Sequence, residues 1–308
     1  MKNARDLAQG TLLMIAVVLI WGAFLPVSQV ALRAIDPYWL SGLRFGAGAL
    51  VFLGILAWRE GRRALHPGRH WRRALLIGSI GIGGFGLLVF EGLRLTRPEQ
   101  AAMILALTPV QVALWQWWKT GHRPDRVTLA AIAAALCGEA LVITHGDLSR
   151  LSGGDALGNG MLVLASLLWL VYTLGGQQFP GWSAIRFTAM TCGLGWFFII
   201  GAALTATAVG HSRPPDPARL QEVWWALAFV VFAVTVLALL FWNMAVARLG
   251  PVNAGLFANF TPIVTYAIAV AQGRHPAPVE LAGVLLVIGA LVTNNLHQRR
   301  KLALLGQR

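Results

Sequence analysis

A chain of 308 residues with 57% hydrophobic and 12% charged side chains has too little polar surface to cover a water-soluble globule, in which about a quarter of residues are charged. Mean hydropathy is +0.65, yet the net charge is +13, from 25 Lys and Arg against 12 Asp and Glu. Together these exclude an ordinary soluble protein and turn the question to where the positive charges sit.

A helix needs about 20 apolar residues to cross a hydrocarbon core. Ten stretches qualify: 11–32, 38–57, 74–95, 100–118, 127–145, 156–178, 184–208, 222–247, 252–271 and 279–297. The first follows Lys2 and Arg5, contains Trp21 and Pro26, and has no small-residue cleavage site behind it, so it reads as a retained span rather than a signal peptide. Asp36-Pro37 breaks the chain before the second span, which carries Arg44. An arginine-rich loop, 59–73, leads into the third. That span is crowded with Gly78, Gly81, Gly83, Gly84 and Gly86, small residues that let helices approach closely, and it ends on Glu91 and Arg94. The fourth span contains Thr108-Pro109 and the fifth Cys137 and Glu139. The sixth carries Trp169, Tyr172 and Gln177, the seventh Cys192, and the eighth Trp242 and Asn243. The ninth carries Asn259 and Thr261-Pro262, and a basic tail, 298–308, follows the tenth. No gap is long enough for a soluble domain. The two cysteines lack C-x-x-C spacing and are expected to be small buried hydrophobes.

If the N-terminus is inside and ten spans alternate, 17 basic residues fall inside and seven outside, with Arg44 within a span. Cytoplasmic loops are enriched in Lys and Arg, so both termini are placed in the cytoplasm. The 59–73 loop dominates the bias and suits anionic lipid headgroups. No folded domain presents these arginines to nucleic acid. Tryptophan supports the same map: Trp39, Trp58, Trp71, Trp115, Trp117, Trp118, Trp182, Trp224 and Trp225 fall near span ends, where amphipathic rings anchor. Trp21, Trp169, Trp196 and Trp242 lie deeper.

The chain repeats itself. Gln100-Ala101 to Thr108-Pro109-Val110 matches Asn253-Ala254 to Thr261-Pro262-Ile263 at an offset of 153, each preceded by Arg-Leu, at Arg94-Leu95 and Arg248-Leu249. Trp21 pairs with Trp169 and Gln29 with Gln177 at an offset of 148, and Gly138 pairs with Gly289. The expected organisation is a first five-helix repeat over 1–145 and a second over 156–297. A repeat with an odd number of spans re-enters from the opposite side, so its copy is inverted. Inverted repeats are the recurring architecture of secondary transporters, with substrate bound near the midplane. The expected fold class is therefore all-α integral membrane, two inverted five-helix repeats with both termini cytoplasmic.

Trp21-Gly22, Arg44-Phe45, the Thr108-Pro109 and Thr261-Pro262 turns, Phe241-Trp242-Asn243 to Arg248-Leu249-Gly250-Pro251, and Glu280-Leu281-Ala282-Gly283 to Gly289 resemble the ten-span EamA branch of the drug/metabolite transporter superfamily, over about 11–297. The resemblance implies a bacterial inner-membrane exporter of amino acids or other small metabolites. It also implies a cavity lined by spans one to four and six to nine. The Gly-Glu often found in the family after spans four and nine reads Gly121-His122 and Gly273-Arg274 here, which removes those acids from consideration.

Intramembrane charges usually face a cavity or a partner. Arg44 is expected either to pair with Glu91 or to meet a substrate carboxylate bidentately. Glu91 and Asn243 occupy matching positions at an offset of 152. Glu91 is a candidate proton carrier or a partner for Arg94, three residues on. Pro109 and Pro262 free backbone carbonyls in mid-span, where a cavity or a neighbouring helix must satisfy them. Thr108, Thr261 and Asn259 are candidate cavity donors beside them. Trp21, Trp169, Tyr172 and Trp242, with Gln29, Gln177 and Asn243, complete the candidate cavity, whose aromatic faces suit aromatic or cationic ligands. Glu139 is expected to snorkel or pack on a flanking helix. The expected partners are a small-molecule substrate, membrane lipids and, in a coupled cycle, protons. No cofactor, metal, nucleic acid or obligate protein partner is called for. A flippase for a lipid-linked substrate is the main rival. An embedded hydrolase fits poorly, since every histidine lies in a loop or at a span end and no G-x-S-x-G or H-E-x-x-H occurs.

Overall fold

The computed structural model describes residues 4–107, 111, 114–115, 117–118, 121, 123, 125–144, 155–249, 254, 257, 260–275 and 277–305. Among them there are helices and connecting turns and no strand. The long helices are α1 (Ala4–Ala31), α2 (Pro37–Glu60), α3 (Trp71–Gly78) running through a π-helical segment (Ser79–Gly84) into α4 (Phe85–Leu95), α5 (Pro98–Ala106), α6 (Arg126–Thr144), α7 (Asp155–Gly175) and α8 (Ala184–Ala208). After the short α9 (Pro217–Glu222) and α10 (Trp224–Ala228), a second π segment (Phe229–Ala238) leads into α11 (Leu239–Leu249). Two helices close the chain, α12 (Thr261–Ala271) and α13 (Pro278–Leu305).

Local chemistry sets the ends. Asp36 caps α2, accepting from the Tyr38 amide at 3.0 Å, and Pro37 takes the first turn, where its missing N–H costs nothing. Gly61, at φ 81°, ends α2 in a backbone conformation that other residues avoid. Ser183 caps α8 by accepting from Arg186 N at 3.1 Å. Pro262 also lies in a first turn: α12 starts at Thr261 behind Phe260. The proline there opens a helix rather than kinking one in mid-span.

Among the described residues six helices are long and apolar enough to cross a membrane: Ala8–Ala31, Pro37–Glu60, Arg62–Leu95, Ala156–Gln178, Ala184–Ala208 and Trp224–Leu249. Thr261–Ala271 and Pro278–Asn294 are shorter apolar helices. The difference from ten apolar stretches falls on 100–118, 127–145, 252–271 and 279–297, and the first three include residues outside the described set. With lipid around them, the helices expose leucines and phenylalanines such as Leu50, Phe197 and Leu285 outward.

The helices pair across the halves. α2 packs on α8, and α6 on α13. α4 packs on α7 while α11 packs on α1, and α5 meets α7 while α12 meets α1. Two of these pairs run antiparallel. Ser212 Oγ, beyond the end of α8, donates to Asp36 at the start of α2 at 2.7 Å. At the opposite ends Arg186 Nη2 donates to His66 O at 2.9 Å. His297, near the end of α13, bridges Asp125 at the start of α6 at 3.0 Å. Close crossings hold the pairs. A Cβ on Gly138 would lie 2.6 Å from Gly283 O, and one on Gly283 would lie 2.6 Å from Gly138 O. The glycines of the third span serve the same end: Gly81 backs onto Tyr172, and Gly86 onto Phe45. Cys192 is buried, as expected. Cys137 is not; it is exposed on α6.

Candidate functional site

Three of the deep tryptophans converge. Trp21 of α1 meets Trp169 of α7 edge-on at 5.7 Å between ring centroids, and meets Trp242 of α11 at 5.2 Å. Trp169 and Trp242 are 6.1 Å apart. Tyr172 stacks on Trp169 at 5.1 Å, Phe85 lies on its other side at 5.0 Å, and Phe187 meets Tyr172 at 5.1 Å. Edge and tilted contacts at these distances are the geometry that aromatic quadrupoles favour. Trp196, the fourth deep tryptophan, instead donates from Nε1 to Gly42 O at 3.0 Å and locks α8 to α2.

The cage has a polar floor. Asn243 Nδ2 donates to the hydroxyls of Tyr172 at 3.2 Å and Thr188 at 2.7 Å. Thr188 in turn donates its own hydrogen bond to Ala184 O at 2.7 Å. Five candidate residues, Trp21, Trp169, Tyr172, Trp242 and Asn243, are thus gathered at one place from α1, α7 and α11. Thr188 was not singled out in the sequence, where nothing marks it among the threonines of its span.

Arg44 is 5% exposed and lies where α1, α2, α4 and the second π segment meet. Its guanidinium carbon lies 4.5 Å from the Phe24 and Phe45 ring centroids and 5.5 Å from Phe90. Nε donates to Thr235 Oγ1 at 2.7 Å, and Thr235 donates on to Val230 O at 2.9 Å, five residues back. Nη1 has no hydrogen-bond partner. The alternative of a pair between Arg44 and Glu91 is not realised. Glu91 bonds Arg94 at 3.2 Å instead, because the partner three residues along its own helix is nearer to hand. Its other oxygen, Oε1, is buried without a partner.

The remaining candidates are dispersed. Gln29 lines a cavity of about 240 Å³ with Pro26, Val30, Arg33, Pro98, Ala269 and Gln272, between the ends of α1, α5 and α12. Gln177 lies exposed in the short turn that ends α7, away from the cage. Thr261 Oγ1 is buried and unpartnered at the start of α12. Its neighbour Thr265, not flagged in the sequence, donates to Gly22 O at 2.8 Å and ties α12 to α1 directly behind Trp21. Thr108, Pro109 and Asn259, and the side chain of Glu139, lie outside the described residues. Arg274, which stands where the family pattern has an acid, forms a double hydrogen bond with Glu280, at 2.9 and 3.2 Å. Among the described residues no cluster of His, Cys, Asp or Glu is arranged to hold a metal ion.

Comparison with known proteins adds four findings. The model of the EamA-like transporter family matches the chain twice, at residues 8–144 and 156–296. The uncharacterized transporter YrdR of Bacillus subtilis is 31% identical, over 91% of this chain and 89% of that protein. The aromatic amino acid exporter YddG of Ancylobacter novellus is 25% identical, over 95% of this chain and 99% of its own. One crystal structure, at 21% identity and a TM-score of 0.66, covers 95% of this chain and 99% of its own and shares the fold.

Proposed function

The chain belongs to the EamA-like transporter family and is an integral membrane protein, and from that premise we propose that it exports small metabolites, amino acids foremost, across a bacterial inner membrane. The cycle is alternating access of two inverted five-helix halves, ten spans in all, with both termini in the cytoplasm. The observation that carries this reading is the tryptophan cage. It takes Trp21 from the first matched segment and Trp169 and Trp242 from the second, so any movement between the halves opens or closes it. The antiparallel pairing of α2 with α8 and of α6 with α13 supports the inversion, and the excess of Arg and Lys over 59–73 supports the orientation.

In this cycle the cage and its Tyr172–Asn243–Thr188 floor hold the ligand, and the cavity at Gln29 is the outer vestibule. Thr261, beside Pro262, lines the route. Aromatic walls suit an aromatic side chain, and the YddG relative is named for aromatic amino acids. Reconstituted into liposomes preloaded with a panel of amino acids, the protein should drive counterflow of labelled aromatic amino acids. Absence of counterflow with every small metabolite tested, alongside movement of lipid-linked substrates, would sink this reading.

A further inference from the structure

Arg44 is a cation with no anion among the described residues. Among the described residues no carboxylate lies within bonding distance of it; the acidic side chains bridged to a base are Glu91, Glu280 and Asp125. An unpaired charge buried at this depth is costly, and chains retain it where a cavity or a ligand completes it. Three aromatic rings and one threonine hydroxyl offset part of the cost, but Nη1 is left over.

Two further groups are left over on the helices that reach the guanidinium, one on α1 and one on α2. Ser41 lies three residues before Arg44 on α2, hence on the same face. Ser28 lies four residues past Phe24, the ring beneath the guanidinium, on the corresponding face of α1. Both serines are fully buried, and neither hydroxyl has a partner. A guanidinium N–H and two hydroxyls, all buried and all unpaired, form the donor set of a carboxylate site.

The site stands at a useful distance from the tryptophan cage. Along α1, Trp21 touches the cage and Phe24 touches Arg44, three residues or about 4.5 Å of helical rise apart. Along the third span, Phe85 touches the cage and Phe90 touches Arg44. Phe45 and Tyr172 belong to one continuous apolar cluster that also contains Cys192, with Trp169 packed against it. The two places are neighbours in one core.

We propose that Arg44, with Ser28 and Ser41, is the carboxylate subsite of the ligand whose aromatic side chain occupies the tryptophan cage. The inference rests on the transport reading above and narrows it: the carboxylate is the obligatory feature of the ligand, and its amino group is dispensable. Thr235 holds Nε and thereby aims the remaining N–H groups. The anion enters when α1, α2 and the π segment part.

The test is equilibrium binding of labelled L-phenylalanine to the purified full chain in lipid nanodiscs, with two competitors. 3-Phenylpropionate keeps the carboxylate and lacks the amine; phenethylamine keeps the amine and lacks the carboxylate. The expected result is that 3-phenylpropionate displaces the label and phenethylamine is at least about tenfold weaker, the scale of one lost charge-assisted bond. Arg44→Gln should weaken binding of L-phenylalanine by at least about tenfold, and Ser41→Ala and Ser28→Ala by a few-fold each. Should Arg44→Gln fail to fold, the competitor series on the parent protein and the two serine variants still decide. Equal displacement by both competitors overturns the subsite, as does a folded Arg44→Gln that binds like the parent, or displacement by sodium chloride at equal ionic strength of a non-competing salt. If counterflow persists without carboxylate preference, the subsite falls and the transport reading stands. If neither binding nor counterflow occurs, both fall.

Discussion

Gly78 and Gly195 press backbone to backbone: a Cβ on Gly195 would stand 2.4 Å from Gly78 O, and one on Gly78 only 2.3 Å from Thr191 O, one turn before Gly195. This contact fixes how closely the third and seventh spans cross. Because the obstacle is main chain rather than a movable side chain, Gly78→Ala and Gly195→Ala should each lower stability by about 1–3 kcal/mol. Gly54→Ala, in open space on α2, should be neutral or stabilising by about 0.5–1 kcal/mol. Thermal melting of the three variants in one detergent checks the contrast, and equal melting temperatures would refute it.

Trp169 touches Trp21, Trp242, Phe85 and Tyr172 at once, so it is the ring whose loss most disturbs the cage. Trp169→Ala should reduce counterflow of an aromatic amino acid by about tenfold or more, and Trp169→Phe by less, since each aromatic contact contributes about 0.5–1.5 kcal/mol. Trp58, 81% exposed, is the control: its alanine variant should transport like the parent.

Asp125 makes a pH prediction. Burial pushes its carboxyl up, but hydrogen bonds from the Thr128 amide and the His297 side chain outweigh it and bring the pKa down to about 2, from 3.8. A depressed carboxyl contributes stability that is present above its unfolded pKa and is lost as pH falls through the folded value. The parent protein should therefore be more stable than Asp125→Asn at neutral pH. The difference should be below about 1 kcal/mol for so solvent-accessible a group. It should narrow from about pH 4 down to pH 2. Melting curves at pH 7, 4 and 3 test this; a gap that widens on acidification is the contrary outcome.

Glu280 is 2% exposed, accepts two bonds from Arg274 and one from the Ala277 amide, and starts α13. Glu280→Gln removes the charge from this partly exposed pair and should cost about 1–3 kcal/mol. Adding Arg274→Gln should recover part of that loss, because no half-buried cation is then left without its carboxylate. A double-mutant cycle by thermal melting reads the coupling directly.

Glu91 has one oxygen on Arg94 and one buried without a partner, so it has room for a proton. If the cycle is proton-coupled, Glu91→Gln should flatten the dependence of counterflow on external pH while leaving the fold intact. An unchanged pH profile would remove Glu91 as the carrier.

Much of this organisation is legible in the residues. The span 184–208 coincides with α8, and three of the four deep tryptophans gather, because bulky rings inside apolar runs have few places to go except a shared interior. The glycines of the third span read correctly as a packing surface. What could not be read is set by register across helices. Nothing in the run from Phe229 to Ala238 announces that Thr235 will accept from Arg44, and nothing in Arg44 distinguishes a pair with Glu91 from a solitary cation. Side-chain partners 191 residues apart in sequence depend on how helices cross, and that is fixed by the whole core.

The two π-helical segments, Ser79–Gly84 and Phe229–Ala238, lie in the third and eighth spans, the two that carry Glu91 and Asn243 beyond them. A π turn holds one residue more than an α turn. A helix that gives up or takes in that residue turns its far end about its own axis, by roughly the angle one residue subtends, with no loop remodelled and neither end lifted from its seat. The third and eighth spans are thus built with torsional slack, while α2 and α8, packed on each other, are α-helical throughout. Such a shift would turn Glu91 and Asn243 about their own helix axes, with no rigid-body tilt of either span.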